Sequence, residues 1–151
     1  MGWWSKTVMG GDGPLDYQGD MYDACGVTDD DRYDGLMSPE EIDAKVQANI
    51  PSMMTVASRN HDEVGYQVLG VMVMRHGCDP SKRIVQKALK MAMENAYEDE
   101  WAHDSTERCE HMVNFFIQLS SYDGTPQEPV SESLFDKIFG AVLDREGLVN
   151  L

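Results

Sequence analysis

The sequence has no long apolar run and few basic residues. Its 151 residues include 12 Lys and Arg against 27 Asp and Glu, which gives a formal net charge of −15. No stretch reaches the roughly 18 apolar residues that a membrane-spanning helix needs. Nucleic acids and anionic membranes bind cationic surfaces. We therefore expect no direct nucleic-acid binding and no membrane association.

Cysteine is also scarce. Cys25, Cys78 and Cys109 are an odd number of thiols, and none belongs to a Cys-x-x-Cys pair. This excludes a disulfide framework and a cysteine-based zinc site, and it fits a reducing compartment. The residues after Met1 lack the apolar core of a signal peptide, and Lys6 stands where a myristoylation motif has Ser or Thr. We expect a cytoplasmic protein.

The patterning of the chain predicts a mainly α fold. Hydrophobic residues make up 42% of the sequence and charged residues 26%, as is usual for globular proteins. Residues 1–151 are expected to form a single compact domain of five to seven helices, with 1–14 as an irregular N-terminal segment packed on the helical body. The predicted helices are 15–25, 38–49, a short turn at 52–58, 61–76, 79–101, a helix capped by Asp104 and Glu107, and 131–145.

Three of these helices carry informative apolar patterns. The helix at 61–76 contains VLGVMVM and is apolar almost all round, so we expect it to be central and buried. The two later helices each have an apolar stripe at helical spacing. The earlier stripe comprises Cys109, Met112, Val113, Phe116 and Leu119. The later stripe comprises Leu134, Phe135, Ile138, Phe139, Val142 and Leu143.

The glycine-rich N-terminus, MGWWSKTVMGGDGPLD, is not a phosphate loop. No Lys-Ser or Lys-Thr follows the glycines, and Asp12 and Asp16 would repel a phosphate. In an extended segment the adjacent side chains of Trp3 and Trp4 point to opposite sides. We therefore expect one of them to plug the core, while the other contacts a partner or solvent.

The stretch DDRYDGLMSPEE, from Asp30 to Glu41, is similar to an EF-hand calcium loop. Arg32 would oppose a dication at the third position, so the loop is degenerate. The same residues also predict a turn at Asp34-Gly35 and a capping box that starts a helix. The candidate calcium ligands are Asp30, Asp34, Leu36, Ser38 and Glu41.

His-Asp dipeptides occur twice, and they suggest an alternative with a metal. Metal-dependent phosphohydrolases of the HD type use such a dipeptide on a helix, with further ligands converging on it. The candidate ligands are His61, Asp62, His103, Asp104 and His111. The competing interpretation is surface histidines and helix caps, because Asp is favoured at helix starts. No Gly-x-Ser-x-Gly or other nucleophile motif is present, and we expect no cofactor.

The leading hypothesis is a non-enzymatic, acidic interaction module that binds a basic protein partner. Basic residues cluster on one predicted helical face, which carries Arg83, Lys87 and Lys90. They can pair with the acidic regions within one molecule, or they can contact the acidic region of a second copy and so form a homo-oligomer. The candidate partner contacts are Trp3, Trp4, Asp29, Asp30, Asp31, Glu98, Asp99 and Glu100.

The first residues also carry a family resemblance. Met1-Gly2-x-Trp4 followed by Asp12-x-x-Leu15-Asp16 resembles the opening of a family of small bacterial and phage proteins of unknown function, and the acidic stretch ending at Trp101 is similar to one near the end of that family. The resemblance implies a helical body. It also implies an accessory role in mobile elements or immunity systems, such as an inhibitor or an anti-defence protein, and it assigns no catalytic residue.

Overall fold

The computed structural model describes residues 5–59 and 64–130. Within these ranges all regular elements are helices, which confirms the mainly α fold class. Six helices have eight residues or more, and α2 and α7 are about one turn each. The predicted helix 131–145 lies outside the described residues. The elements are α1 (Asp12–Ala24), α2 (Asp29–Tyr33), α3 (Pro39–Ala48), α4 (Ile50–Ala57), α5 (Gly65–Arg75), α6 (Arg83–Tyr97), α7 (Trp101–Asp104) and α8 (Thr106–Ser120).

Helix α5 lies at the centre of the fold, as its apolar run predicts. All its residues from Gln67 to Met74 are buried, and it packs against α1, α3, α4 and α6. Gly70 permits this packing, because a Cβ there would lie 2.6 Å from the Cβ of Ala92 on α6 and 2.9 Å from Cδ2 of Leu119 on α8. The prediction of a central helix is confirmed for 65–75, and its predicted first residues, 61–63, lie outside the described residues.

The N-terminal segment is irregular only as far as Gly11. Helix α1 begins at Asp12, earlier than predicted, because Pro14 fits the first turn of a helix, where its missing N–H costs no hydrogen bond. Before it, the N–H of Ser5 donates to the carbonyl of Gly10 at 3.2 Å and closes a turn. Val8 in this turn is fully buried, so the irregular segment packs on the helical body.

Helix α6 is shorter than the predicted 79–101 at both ends. The Oδ1 of Asp79 accepts the N–H of Ser81 at 2.9 Å, and this local bond holds a turn ahead of the helix. The helix begins only at Arg83 and ends at Tyr97, and Trp101 starts the separate turn α7. The predicted start rested on the Asp79-Pro80 pair, which resembles a helix start but belongs to this turn.

The N-terminus of α8 is capped by a residue different from those predicted. Ser105 has extended backbone angles, and its Oγ accepts the N–H of Arg108 at 3.2 Å. Asp104 belongs to α7 instead, and Glu107 lies in the first turn of α8. The predicted N-cap at Asp104 is therefore wrong by one residue, and the N-cap is Ser105. In the ranges 5–59 and 64–130, no helix is long and apolar enough to cross a membrane.

Candidate functional site

The end of α6, helix α7 and the outer side of α8 enclose a cavity of about 400 Å³, which we call the α8 groove. Four large apolar side chains at the groove are exposed: Tyr97 by 81%, Val113 by 52%, Ile117 by 45% and Phe116 by 37%. Exposed apolar residues that lie together, unlike scattered ones, are typical of interaction sites. The groove is also lined by Ala96, Asp99, Ala102, His103, Cys109 and Met112.

The groove exists because α8 is apolar over more than one face. Phe115 and Leu119 turn inward and are almost fully buried. Phe116 and Ile117 follow Phe115 directly, and at 100° per residue they cannot share its face. The predicted stripe therefore divides, with Met112 and Leu119 in the core and the other three members exposed. The three consecutive apolar residues at 115–117 were the sequence signal that one face could not hold them all.

The exposed charges on the helices that form the α8 groove are mostly negative. A second, more polar cavity of about 430 Å³ adjoins it, lined in part by His103, Asp104 and Glu110. Arg108 is the only Lys or Arg between residues 91 and 121, and it is fully buried. The exposed charged groups that α6, α7 and α8 contribute to this region are therefore acidic, although the Nζ of Lys6 from the N-terminal segment lies 4.6 Å from the ring centroid of Trp101 on α7. The exposed acids of this region are Glu94, Glu98, Glu100, Asp104, Glu107 and Glu110.

A buried ion pair holds the wall of the groove in place. The Nη2 of Arg108 donates to Oδ2 of Asp99 at 2.8 Å and to Oε1 of Gln67 at 3.1 Å. Its Nη1 donates to the carbonyls of Lys6 and Thr7 at 3.0 and 3.1 Å. The pair joins the N-terminal segment, α5, the α6–α7 connection and α8. A buried ion pair with its hydrogen bonds satisfied in this way orients the elements that it connects.

Asp99 therefore does not belong to the acidic surface on which it was predicted to contact a partner. Burial by itself raises the pKa of this carboxyl, but hydrogen bonds from Arg108 and Gln67 and the charge of Arg108 outweigh burial and hold the pKa below its usual range. The N–H of Ala102 also donates to Asp99, at 2.9 Å, so the carboxylate fixes the start of α7. Its predicted neighbours Glu98 and Glu100 are exposed.

His111 ties the N-terminal segment to another side of α8. The N–H of Val8 donates to its Nε2 at 2.9 Å, which requires an unprotonated Nε2. Burial, and then the charge of Arg108, lower the pKa of His111 to about 4. The ring is therefore neutral at pH 7 and serves as a hydrogen-bond acceptor inside the protein.

The structure brings the candidate metal ligands together only in part. His103 and Asp104 line the polar cavity, whereas the Nε2 of His111 is engaged by Val8. No group of three or more His, Cys, Asp or Glu side chains suited to a metal ion occurs among residues 5–59 and 64–130. His61 and Asp62 lie outside the described residues. The metal hypothesis stays a prediction that the described geometry does not favour.

The first half of the candidate calcium loop forms a short helix. Thr28 and Asp31 make a capping box, in which each backbone N–H donates to the other side chain, at 2.9 and 3.1 Å. Asp29 pairs with Arg32 at 2.8 Å, and Asp30 lies within α2. Asp29 and Asp31, both predicted partner contacts, are thus engaged in local structure.

The second half of the loop forms the turn and helix start that were the competing interpretation. Gly35 has a φ of +69°, which favours glycine, and Asp34 ends α2. The Oγ of Ser38 accepts the N–H of Glu41 at 3.2 Å and donates to its carboxylate at 3.3 Å. Leu36 is an exposed side chain between them. The N-cap at Ser38 is confirmed, but the carboxylate of Glu41 accepts the hydroxyl of Ser38 and not its backbone N–H, so the predicted capping box forms only in part. The calcium hypothesis gains no support.

A second series of polar contacts links α1, α3 and α5, and in it Tyr22 and His76 are buried while Asp43 is partly exposed. His76 contacts Oδ1 of Asp43 through Nδ1 at 2.7 Å and the hydroxyl of Tyr22 through Nε2 at 2.8 Å. A carboxylate, an imidazole and a phenol in series could relay a proton. However, His76 is 7% exposed and Tyr22 4%, so a substrate cannot approach either ring. This series therefore serves to connect helices, and sequence reasoning did not detect it because its members are far apart in sequence.

Trp3 and Trp4, the remaining predicted contacts, lie outside the described residues, so which of them is buried stays a prediction. Comparison with known proteins assigns the chain to no group: no protein-family model, no curated protein and no solved structure matches it. The resemblance of the N-terminus to small bacterial and phage proteins therefore stays a prediction. The candidate site is defined by its geometry alone.

Proposed function

We propose that this protein is a non-enzymatic interaction module that binds a basic amphipathic helix of a partner protein in the α8 groove. The observation that carries the proposal is the coincidence of exposed apolar side chains with a rim of exposed acids. Phe116 and Ile117 would bury the apolar face of the partner helix, and Glu98 and Glu110 would meet its basic residues.

A helix is the element that best suits this groove. The cavity lies between the end of α6 and the length of α8, and a third helix laid against two others buries side chains at i, i+3, i+4 and i+7. Because the rim is acidic, lysines and arginines on such a helix would speed association and favour basic partners over acidic ones. Charge would therefore supply selectivity, while apolar burial would supply most of the affinity.

Binding of this kind would block the partner's helix from its other contacts. An inhibitor or an immunity or anti-defence accessory protein of a bacterium or phage would act in this way, and this is the role that the N-terminal resemblance implies. The formal net charge of −15 also favours a partner with a basic binding surface. We propose no catalytic residue, no cofactor and no direct binding of nucleic acid.

The apolar part of the proposal is tested with a fluorescent amphipathic helical peptide made only of Leu and Lys, followed by anisotropy. Phe116→Asp and Val113→Asp place a charge in the groove. We expect either change to weaken binding at least about tenfold, because burial of one such side chain is worth about 1.5–3 kcal/mol. Leu36→Asp is the matched control, since Leu36 is an exposed apolar residue on the α2–α3 connection.

The electrostatic part is tested with Glu98→Gln and Glu110→Gln, and Glu40→Gln on α3 serves as the matched control. Neutralising the rim should weaken the peptide and flatten the dependence of its affinity on salt, whereas the change on α3 should do neither. Equal binding by the wild type and all the variants would mean that the peptide is held by overall charge. The groove would then not be the binding site.

A further inference from the structure

We propose that the exposed face of α6 binds a second copy of this chain, so that the protein forms a symmetric dimer through two antiparallel α6 helices. This face carries Arg83, Lys87 and Lys90 towards the start of the helix, and Glu94 and Glu98 towards its end. We call these five residues the α6 charge stripe. The proposal does not rest on the function proposed for the α8 groove.

The α6 charge stripe lies on the side of the helix that faces away from the core. All five members are exposed, whereas the opposite side packs against α5, α8 and α4. At 100° per residue the stripe stays within about 60° of one line along the helix, and the buried residues are centred on the opposite line. Those buried residues are Val85, Ala88, Leu89, Ala92 and Ala96. Within the described residues, no element covers the stripe.

Pairing within one molecule does not account for the charges of the stripe. Among residues 5–59 and 64–130, none of its five side chains forms an ion pair or a hydrogen bond. Lys90 and Glu94 are one helical turn apart, but a base that precedes an acid is the less favourable order for such a pair. The stripe therefore presents both signs of charge to its surroundings.

The charges of the stripe also oppose the dipole of α6. The N-terminus of a helix favours acids, and its C-terminus favours bases. In α6 the first residue is Arg83, the first turn contains no acid, and the last turn contains Glu94 and no base. A second α6 that runs antiparallel would bring acids to the N-terminus and bases to the C-terminus. The arrangement is therefore unfavourable in one copy and favourable in two.

The spacing of the charges matches a two-fold axis. In two identical antiparallel helices, residues at equal distances on the two sides of the axis face each other. Lys87 and Glu94 lie equally far from one point immediately after Lys90, and so do Arg83 and Glu98. At 1.5 Å per residue, the two pairs lie about 5 Å and about 11 Å from that point. Every base would therefore face an acid of the second copy, with Lys90 within reach of Glu94.

The dimer should be weak, because exposed ion pairs contribute little each. Ile84, Met91 and Met93 flank the stripe and are half-buried, so a second helix would cover more of their apolar surface. The contact would be a strip about 22 Å long and about 10–12 Å wide, which is well below the roughly 800 Å² per partner of a standard interface. We therefore expect a dissociation constant in the micromolar range or above.

Salt should act on this dimer in two opposite ways. Two copies with a net charge of −15 repel each other, and at about 0.01 M salt the Debye length of about 30 Å lets the whole charge take part. At about 0.15 M the Debye length is about 8 Å, so distant charges are screened while contacts across the stripe keep much of their attraction. At about 1 M the contacts are screened as well. Association should therefore be strongest at the intermediate ionic strength.

The experiment is sedimentation velocity of the full-length protein from about 5 to 500 µM at these three ionic strengths. Lys87→Glu would place acids opposite acids, and Glu94→Lys would place bases opposite bases. Because the dimer is symmetric, each change acts at two contacts, and we expect either to raise the dissociation constant at least about tenfold. The two changes shift the net charge in opposite directions, so an effect of overall charge would have opposite signs in the two variants.

Two combinations of these changes should restore the dimer. The double variant Lys87→Glu/Glu94→Lys exchanges the two charges within one chain, so it should pair with itself and not with the wild type. An equimolar mixture of the two single variants should form a mixed dimer, since both of its contacts join opposite charges. Lys45→Glu and Glu40→Lys on α3 are the matched controls, because they make the same changes of net charge on another exposed surface. Neither should affect association.

A wild-type protein that stays monomeric at all three ionic strengths would overturn the proposal. So would a double variant that is folded by circular dichroism but does not associate, or a dimer that Phe116→Asp abolishes while Lys87→Glu and Glu94→Lys leave it intact. The last result would place the contact at the α8 groove. Glu98 is used by both proposals and stays unchanged in all these variants, so binding of the Leu/Lys peptide tests the groove independently.

Discussion

Acidification should weaken this protein through one histidine, His111. In the folded state its Nε2 accepts the N–H of Val8, and the buried ring has a pKa of about 4. In the unfolded state an ordinary histidine has a pKa of about 6.5. Because the unfolded chain binds this proton more readily, the stability due to neutral His111 is complete above about pH 6.5. It is lost progressively as the pH falls towards 4.

The magnitude follows from the difference between the two pKa values. A separation of about 2.5 units, at about 1.4 kcal/mol each, corresponds to about 3 kcal/mol between pH 7 and pH 4. His111 is only 6% exposed, so solvent screening reduces this value little. Natural domains are stable by about 5–15 kcal/mol, and the loss is a large part of that. Arg108 disfavours the protonated ring, and the Arg75–Glu128 pair lines the same small cavity.

The assay is urea unfolding followed by circular dichroism at several pH values from 7 to 4.5. Carboxylates begin to titrate near the lower limit, but they do so equally in the wild type and in the variants, so the difference between the pH profiles isolates the histidine. His111→Gln is the test variant, since Gln can still accept the N–H of Val8 but does not titrate. His103→Gln on the exposed turn α7 is the matched control. Burial also lowers the pKa of His76, so the wild type should lose stability through both rings. The His111→Gln variant should lose distinctly less than the wild type. Parallel pH profiles for the two proteins would refute the assignment to His111.

Two further predictions concern the packing that positions the groove. Asp99→Ala leaves the charge of Arg108 buried without its carboxylate and should lower the free energy of unfolding in urea by about 3–5 kcal/mol. The double variant Asp99→Ala/Arg108→Met should recover part of that loss. A loss below about 1 kcal/mol in Asp99→Ala would show that the pair does not hold the fold. Gly70→Ala should cost about 1–3 kcal/mol, because its Cβ would clash with α6 and α8. Gly19 lies inside α1 with open space around it, so Gly19→Ala should raise the free energy of unfolding by about 0.5–1 kcal/mol. Equal effects at Gly70 and Gly19 would contradict the close approach of α5 to α6 and α8.

Patterns that involve neighbouring residues proved the most predictable. The Ser38 cap with Pro39 in the first turn follows from hydrogen bonds three residues apart, and the structure contains it. The burial of α5 follows from an apolar run too wide for one helix face. Boundaries were less predictable where several polar residues could start the helix, as at Asp79 ahead of α6 and at Ser105 ahead of α8.

The candidate site was predicted less well than the fold. The acidic stretch at 98–100 was expected on the surface, and two of its members are there, but Asp99 turns inward because Arg108 lies within reach only in the folded chain. The stripe of α8 was assigned to the core as one set. The apolar run at 115–117 shows that one face cannot hold all of these residues, but which of them enter the core depends on the neighbours that the other helices provide.

By itself, then, the sequence determined what depends on composition and on residues within a turn or two of each other. These properties are the acidic surface charge, the all-helical class within the described residues, the central helix and several helix starts. Only the tertiary structure decided which polar side chains are buried and paired, and which apolar residues of α8 are left uncovered. The physical reason is distance along the chain. Arg108 meets the carbonyls of Lys6 and Thr7 across about a hundred residues, and such contacts form only when the helices pack.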